Sequence, residues 1–207
     1  MGGAIGGGFS NVYMGPPYTD SSGHLRPRIG NWTPYAEFNI WSDPEASQAI
    51  FTNEELKEKT VLVPLDVTHQ ACATKEIRDL LLFGGRTRVG EVAVQPTRLR
   101  RMFHELLMFY ADTYEKVFGL TEGPPLHDPL AVAVVLAELT GEQSIELDDH
   151  GGERWDIVVV LSGEQIGRTV ASSVEQGAVI PRAIDLKKFW NMIEGCLDRA
   201  DQARLQW

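Results

Sequence analysis

Thr60-Val61-Leu62-Val63-Pro64-Leu65-Asp66-Val67-Thr68-His69-Gln70, followed by Thr74-Lys75-Glu76-Ile77-Arg78-Asp79-Leu80-Leu81-Leu82-Phe83-Gly84-Gly85, is the stretch whose reading decides the fold. The run 60–67 is short and apolar, which predicts a buried strand despite Pro64. Thr74 stands as a side-chain acceptor ahead of a helical pattern that Gly84-Gly85 ends, so a capped helix is predicted through Phe83. A strand that feeds a helix through a polar turn is an α/β unit. Asp66, His69 and Gln70 lie beyond the carboxyl end of that strand, where ligands often sit in α/β sheets, but residue types alone give them no role.

Outward from this unit the pattern continues in both directions. Asp43-Pro44-Glu45 reads as an N-cap, a proline at the first helical position and an acidic first turn, opening a helix to about Asn53. Leu99, Met102, Phe103, Leu106, Tyr110, Tyr114 and Val117 recur at helical spacing between Pro96 and Gly119. His127-Asp128-Pro129 opens a further helix with Asp128 as N-cap. Its body, 130–139, is apolar nearly all round and is expected to be buried. Strand-like segments follow at 144–147, 156–162 and 169–174, the first two separated by turn residues 148–152. A last amphipathic helix starts at Asp185 on Leu186, Phe189, Trp190, Ile193 and Leu197. Strands and helices alternate first and strands then cluster, which predicts an α/β core with a mixed or hairpin-bearing edge.

Composition narrows the function. The chain has 207 residues, 43% of them hydrophobic, and a formal net charge of −10, so it can bury a core and repels phosphate backbones; nucleic acid is excluded as a general partner. Arg98, Arg100 and Arg101 are expected on a solvated face. The longest uncharged apolar stretch, 129–137, is too short to span a bilayer, so no membrane partner is expected. Cys72 and Cys196 form no CxxC pair, which suits a reducing, cytoplasmic setting. The histidines show no HExxH or paired spacing for zinc, no GxSxG elbow is present, and the glycine-rich start fits neither GxGxxG nor a P-loop.

Two constellations remain. Residues 1–39 have loop composition, and a loop this long is functional or disordered. It ends in Asn31-Trp32-Thr33-Pro34-Tyr35-Ala36-Glu37-Phe38-Asn39, which places two amides and a carboxylate among aromatics, a set suited to sugar hydroxyls. Turn-forming asparagines beside a solvated Glu37 would fit the same residues. The second is His127-Asp128, where a fixed carboxylate and a proton donor or acceptor near neutral pH could act together, or where Asp128 is simply a helix cap.

Taken in order, Met1-Gly2-Gly3-Ala4, Gly30 to Ile40, Asp43-Pro44-Glu45-Ala46, Val63 to Gln70 and His127-Asp128-Pro129-Leu130-Ala131 resemble the inosine/uridine-preferring nucleoside hydrolases. The long insertion before Gly30 resembles fungal uridine nucleosidases. The resemblance implies a Rossmann-like α/β fold, with a mostly parallel sheet flanked by helices, as a single domain over 1–207 whose residues 1–39 are an active-site loop region. It implies hydrolysis of the N-glycosidic bond of a ribonucleoside to ribose and free base through an oxocarbenium-like transition state. A bound Ca²⁺ would hold ribose hydroxyls and the attacking water. By motif, Asn31, Glu37 and Asn39 would hold ribose hydroxyls, Met1 would lie near the sugar, and Asp128 would be a calcium and ribose ligand. His127 would protonate the departing base. Family members are commonly dimers or tetramers, so a homodimer or homotetramer is expected. The Asp-rich DxDxGxDD start of the family has no counterpart in this sequence. The chain therefore reads as the C-terminal part of such a domain with its first strands missing, and is expected to be inactive alone. A non-catalytic nucleoside- or ribose-binding fragment or subunit is the rival expectation.

Overall fold

The structure is a computed structural model that describes residues 14–85, 88–89, 92–93, 95–140 and 145–204. In chain order its elements are β1 (Tyr18–Thr19), β2 (Leu25–Arg26), α1 (Phe38–Ser42), α2 (Pro44–Phe51), α3 (Leu65–Thr68), α4 (Lys75–Phe83), β3 (Arg88–Val89), β4 (Val92–Ala93) and α5 (Arg98–Phe118). After these come α6 (His127–Thr140), β5 (Leu147–Asp148), β6 (Arg154–Val159), β7 (Thr169–Val174), β8 (Ala183–Ile184) and α7 (Leu186–Arg204). The chain divides into two compact units, Met1–Gln70 with Glu146–Ile184, and Ala71–Ile145 with Asp185–Trp207.

The first unit is built on the β6–β7 hairpin, paired antiparallel from Arg154↔Val174 to Val159↔Thr169. Alternation places Ile157 and Val159 inward, where they join Ile40, Phe51, Leu62, Ala178 and Ile180 in one core cluster. α2 packs on β6, and the Gln48 side chain accepts a hydrogen bond from the Val159 amide. Asp43 caps α2 through the Ala46 amide with Pro44 at the first position, as the sequence predicts. The hairpin β1–β2 occupies part of the expected 1–39 loop, and β5 pairs antiparallel with β8.

The strand expected over 60–67 is only half present. Thr60 to Leu62 run beside Val179, with Leu62 N–H donating to Val179 O at 2.9 Å and Val179 N–H to Thr60 O at 3.0 Å. Pro64 has no N–H to continue a ladder and stands as the N-cap of α3, so residues 65–68 coil into one buried turn instead. The mostly parallel sheet implied by the resemblance is not seen among the described residues. Their strands form four antiparallel pairs, and the one parallel link is the Val61–Val179 bridge.

The second unit is helical. α4 packs against α5 and α7, and α7 also against α5 and α6. Thr74 caps α4 and Gly84 ends it at φ 65°, and Gly119 ends α5 at φ 68°, as the sequence predicts; the structure adds Thr97 as the cap of α5. Arg100 is not on a solvated face: it is 3% exposed. Its five N–H donors reach Leu81 O, both Glu194 oxygens, Asp198 and Asp201. The body of α6 is not buried all round either. Leu130, Ala133 and Val134 face inward, whereas Val132, Val135 and Leu136 are exposed. On α5, Leu107 is buried and Leu99, Phe103 and Tyr114 are half-buried, while Met102, Leu106, Phe109, Tyr110 and Val117 form an outward apolar stripe.

Candidate active site

In the first unit, residues 29–40 fold into a turn that the backbone closes on itself. Ile29 and Gly30 N–H both donate to Pro34 O, and Trp32 N–H donates to Ala36 O at 3.1 Å. Thr33 Oγ1 accepts from the Tyr35 and Ala36 amides. A Cβ at position 30 would overlap the Ala36 backbone, so only glycine fits there. From the other side Gly167, at φ 79°, lets the β6–β7 loop come within 2.9 Å of Ala36 Cβ at the position its own Cβ would take.

This turn brings Asn31, Glu37 and Asn39 together. Asn31 Oδ1 accepts from the Phe38 amide at 3.0 Å. Glu37 is buried, not solvated, and caps α1: Oε2 accepts from the Asn39 amide at 2.9 Å and the Ile40 amide at 3.0 Å, and Oε1 accepts from Asn39 Nδ2 at 3.0 Å. Three donors fix one carboxylate in direction, and a carboxylate still has lone pairs to accept a hydroxyl. Among the described residues, Asn31 Nδ2 and Asn39 Oδ1 carry no bond and remain available to a ligand.

In the second unit, the segment ahead of α6 is strapped to residues 71–73. Ala73 N–H donates to Pro124 O at 2.9 Å and Leu126 N–H to Ala71 O at 3.2 Å. Gly123 lies at φ 148°, and a Cβ there would collide with the Ala73 carbonyl. The strap delivers His127 and Asp128 to the first turn of α6. The helix starts at His127, so Asp128 is inside the first turn and not the expected N-cap; its charge still faces the positive helix end. His127 is half-buried and its ring lies 5.7 Å from that of Tyr114. Burial pushes the imidazole down to about 4. The Tyr114 hydroxyl is held above its ordinary value first by burial and then by the Asp128 charge.

Met1 lies outside the described residues. Asp66 and His69 are buried on and just after α3. Among the described residues no three His, Cys, Asp or Glu side chains come together as a cation site. Asp128 offers a single carboxylate, whereas Ca²⁺ takes about six to eight oxygens. The described residues do not fit a resident calcium by themselves. No helix among them is long and apolar enough to cross a membrane.

The turn of Asn31, Glu37 and Asn39 lies in the first unit and the His127-Asp128 pair in the second. The chain belongs to the inosine-uridine preferring nucleoside hydrolase family, whose sequence model matches residues 1–191. It is 31% identical to the uridine nucleosidase of Saccharomyces cerevisiae over 183 residues, covering 84% of this chain and 51% of that protein. It is 31% identical to the pyrimidine-specific ribonucleoside hydrolase RihB of Shigella flexneri serotype 5b over 173 residues, covering 81% and 48%. The chain thus spans about half the length of these curated relatives. The purine-preferring ribonucleoside hydrolase of Gardnerella vaginalis shares the fold at TM-score 0.58 and 23% identity, over 81% of this chain and 49% of that one. The plant nucleoside hydrolase PpNRh1 does so at 0.55 and 20%, over 81% and 49%.

Proposed function

We propose that the chain is part of a nucleoside N-ribohydrolase acting on ribonucleosides of the uridine and inosine type, releasing ribose and free base in nucleoside catabolism. The observation that carries this reading is the pre-formed turn of Asn31, Glu37 and Asn39, held by hydrogen bonds that need no ligand, inside a family match that runs through both units. That continuity also supports treating 1–207 as one hydrolase domain. The amides and Glu37 bind ribose hydroxyls, and the Asp128 carboxylate accepts from a further hydroxyl.

His127 serves the departing base. With its imidazole at about 4 it is neutral at pH 7, carries one N–H, and donates a hydrogen bond that strengthens as negative charge builds on the base. Complete proton transfer requires the imidazolium, so the part of the rate that depends on transfer falls as pH rises above that value. Cys72 and Cys196 lie far apart in the sequence and form no CxxC pair, which supports a cytoplasmic setting. The outward stripe of α5 supports self-association as a homodimer or homotetramer, read by sedimentation velocity.

The test is ribose release from uridine by the 207-residue chain with Ca²⁺ added and folding checked by circular dichroism. Turnover that His127→Ala abolishes supports the hydrolase reading for this chain alone. A folded chain that binds ribose without turnover moves it to the second reading, a non-catalytic nucleoside- or ribose-binding subunit. The self-sufficiency of the Asn31–Glu37–Asn39 turn favours that second reading over a structural remnant.

A further inference from the structure

The strap ahead of α6 lacks one of its own hydrogen bonds. Cys72 and Pro125 face each other across it as an antiparallel bridge, so Ala73 and Pro124 are the next pair along and the one that should exchange two bonds. Ala73 N–H donates to Pro124 O at 2.9 Å, but Pro124 has no N–H to return the bond to Ala73 O. Both residues are fully buried, where an unpaired carbonyl is costly. Arg78 of α4 supplies the missing donor. Its Nη1 donates to Ala73 O at 2.6 Å and, more loosely, to Glu122 O at 3.4 Å, so one guanidinium holds both strands of the strap. Helix physics does not account for this placement. Arg78 sits four residues after the Thr74 cap, and its side chain turns back to the end of α4 where the helix dipole disfavours a cation. Gly123 leaves the room, since a Cβ there would lie 2.9 Å from Arg78 Nη1.

We infer that Arg78 is a positioning residue for His127, standing in for the absent N–H of Pro124 and so fixing the direction in which the chain enters α6. This rests on the nucleoside reading given above. Residues 123–126, between the carbonyl of Glu122 and the imidazole of His127, are all buried, and Pro124 and Pro125 stiffen the path between them. Where Arg78 holds one end, the other end follows. A hydrogen bond from His127 to a departing base depends on distance and angle, and a small misplacement from outside the chemistry is costly in rate. Arg78 touches no substrate in this arrangement and acts only through the strap. Lysine at this position could still offer Nζ to the Ala73 carbonyl, though without the planar fork; an apolar side chain would leave that carbonyl buried and unpaired.

The experiment follows the 207-residue chain at neutral pH by amide hydrogen exchange and by the nuclear Overhauser contact between the rings of His127 and Tyr114, whose centroids lie 5.7 Å apart. In Arg78→Met the Ala73 and Leu126 amides should exchange about tenfold faster, as loss of a charge-assisted hydrogen bond implies, in excess of any change at the Leu107 amide of α5. The ring contact should weaken with them, and Arg78→Lys should restore most of both. Where the chain releases ribose from uridine, kcat of Arg78→Met should fall about tenfold with KM within about twofold of wild type. Arg78→Gln, which keeps a neutral donor, carries the same readouts with smaller shifts if the Met variant does not fold. The clamp is overturned if the two amides and the ring contact are unchanged, if they change only in step with Leu107, if Arg78→Lys restores nothing, or if KM rises at constant kcat. A folded wild-type chain that releases no ribose removes the hydrolase reading for this chain alone; the exchange and the ring contact then still decide whether Arg78 sets His127.

Discussion

Arg100 on α5 and Glu194 on α7 meet as a bidentate pair, Nη1 to Oε2 at 2.8 Å and Nη2 to Oε1 at 3.0 Å, with the guanidinium 3% exposed. Asp201 takes Nε at 2.7 Å, Asp198 takes Nη2 at 2.8 Å, and Leu81 O accepts from Nη1 at 2.6 Å. One cation therefore joins α4, α5 and α7 and neutralises part of a triple acidic row. Arg100→Met is expected to lower unfolding free energy by about 3–5 kcal/mol, because it leaves Glu194 and Asp201 partly buried without a counter-charge. Arg100→Lys, which keeps the charge but not the planar fork, should fall between. Urea unfolding of the three proteins checks the order; equal midpoints would mean the pair is only a surface contact.

How much of this was legible depends on the kind of signal each residue leaves. Caps, glycine stops and period carry local information, and they placed α2, α4, α5 and β7 to within a residue or two. Thr60–Val67 misled because an apolar run of eight fits a strand until Pro64 removes the donor that the ladder needs. Arg100 looked like one more charge in Arg98-Leu99-Arg100-Arg101, yet Phe103 and Leu107, three and seven positions on, share its side of the helix. Its partners lie about a hundred positions away, and no local pattern announces them. At the site, the motifs supplied the residue identities. The burial of Glu37 and the exact-fit glycines Gly30 and Gly123 appear only once backbone approach is known.

Gly123→Ala should disturb the strap that sets His127. The added Cβ meets the Ala73 carbonyl and the φ of 148° is one that L side chains rarely adopt. A loss of about 1–3 kcal/mol is expected from the backbone strain. If the strap positions the pair, turnover of uridine falls more than ribose binding does. A variant of wild-type stability would show that residues 71–73 yield freely. Calorimetric Tm and steady-state rates on the same preparation read both effects.

Glu37→Gln tests whether the buried carboxylate is a cap, a ligand group, or both. The substitution exchanges one acceptor oxygen for an NH₂ that must face the amides of Asn39 and Ile40 or the Asn39 side chain. Stability is expected to drop by about 1–2 kcal/mol, in the range of a lost N-cap. Ribose affinity should fall as well, whereas Asp43→Asn at the neighbouring cap of α2 should change stability without touching ribose. Loss of stability with unaltered ribose binding would assign Glu37 to the fold alone.

His127 gives stability a pH dependence whose sign follows from its burial. Its imidazole sits at about 4 in the folded chain against an ordinary 6.5. Above pH 6.5 both folded and unfolded forms are neutral, and the group contributes no slope. Between pH 6.5 and about 4 the unfolded chain binds a proton that the folded chain refuses, so stability falls as pH falls. The lowered folded value bounds the loss at about 3 kcal/mol, complete once the pH is below it. His127→Gln keeps much of the shape and cannot titrate, so its unfolding free energy should decline less steeply over the same interval. Urea unfolding of both proteins at several pH values between 7 and 4.5 cancels every other titrating group in the difference. Parallel curves would mean that His127 charges as readily in the folded chain as outside it, and that it could then deliver a full proton to a departing base near neutral pH.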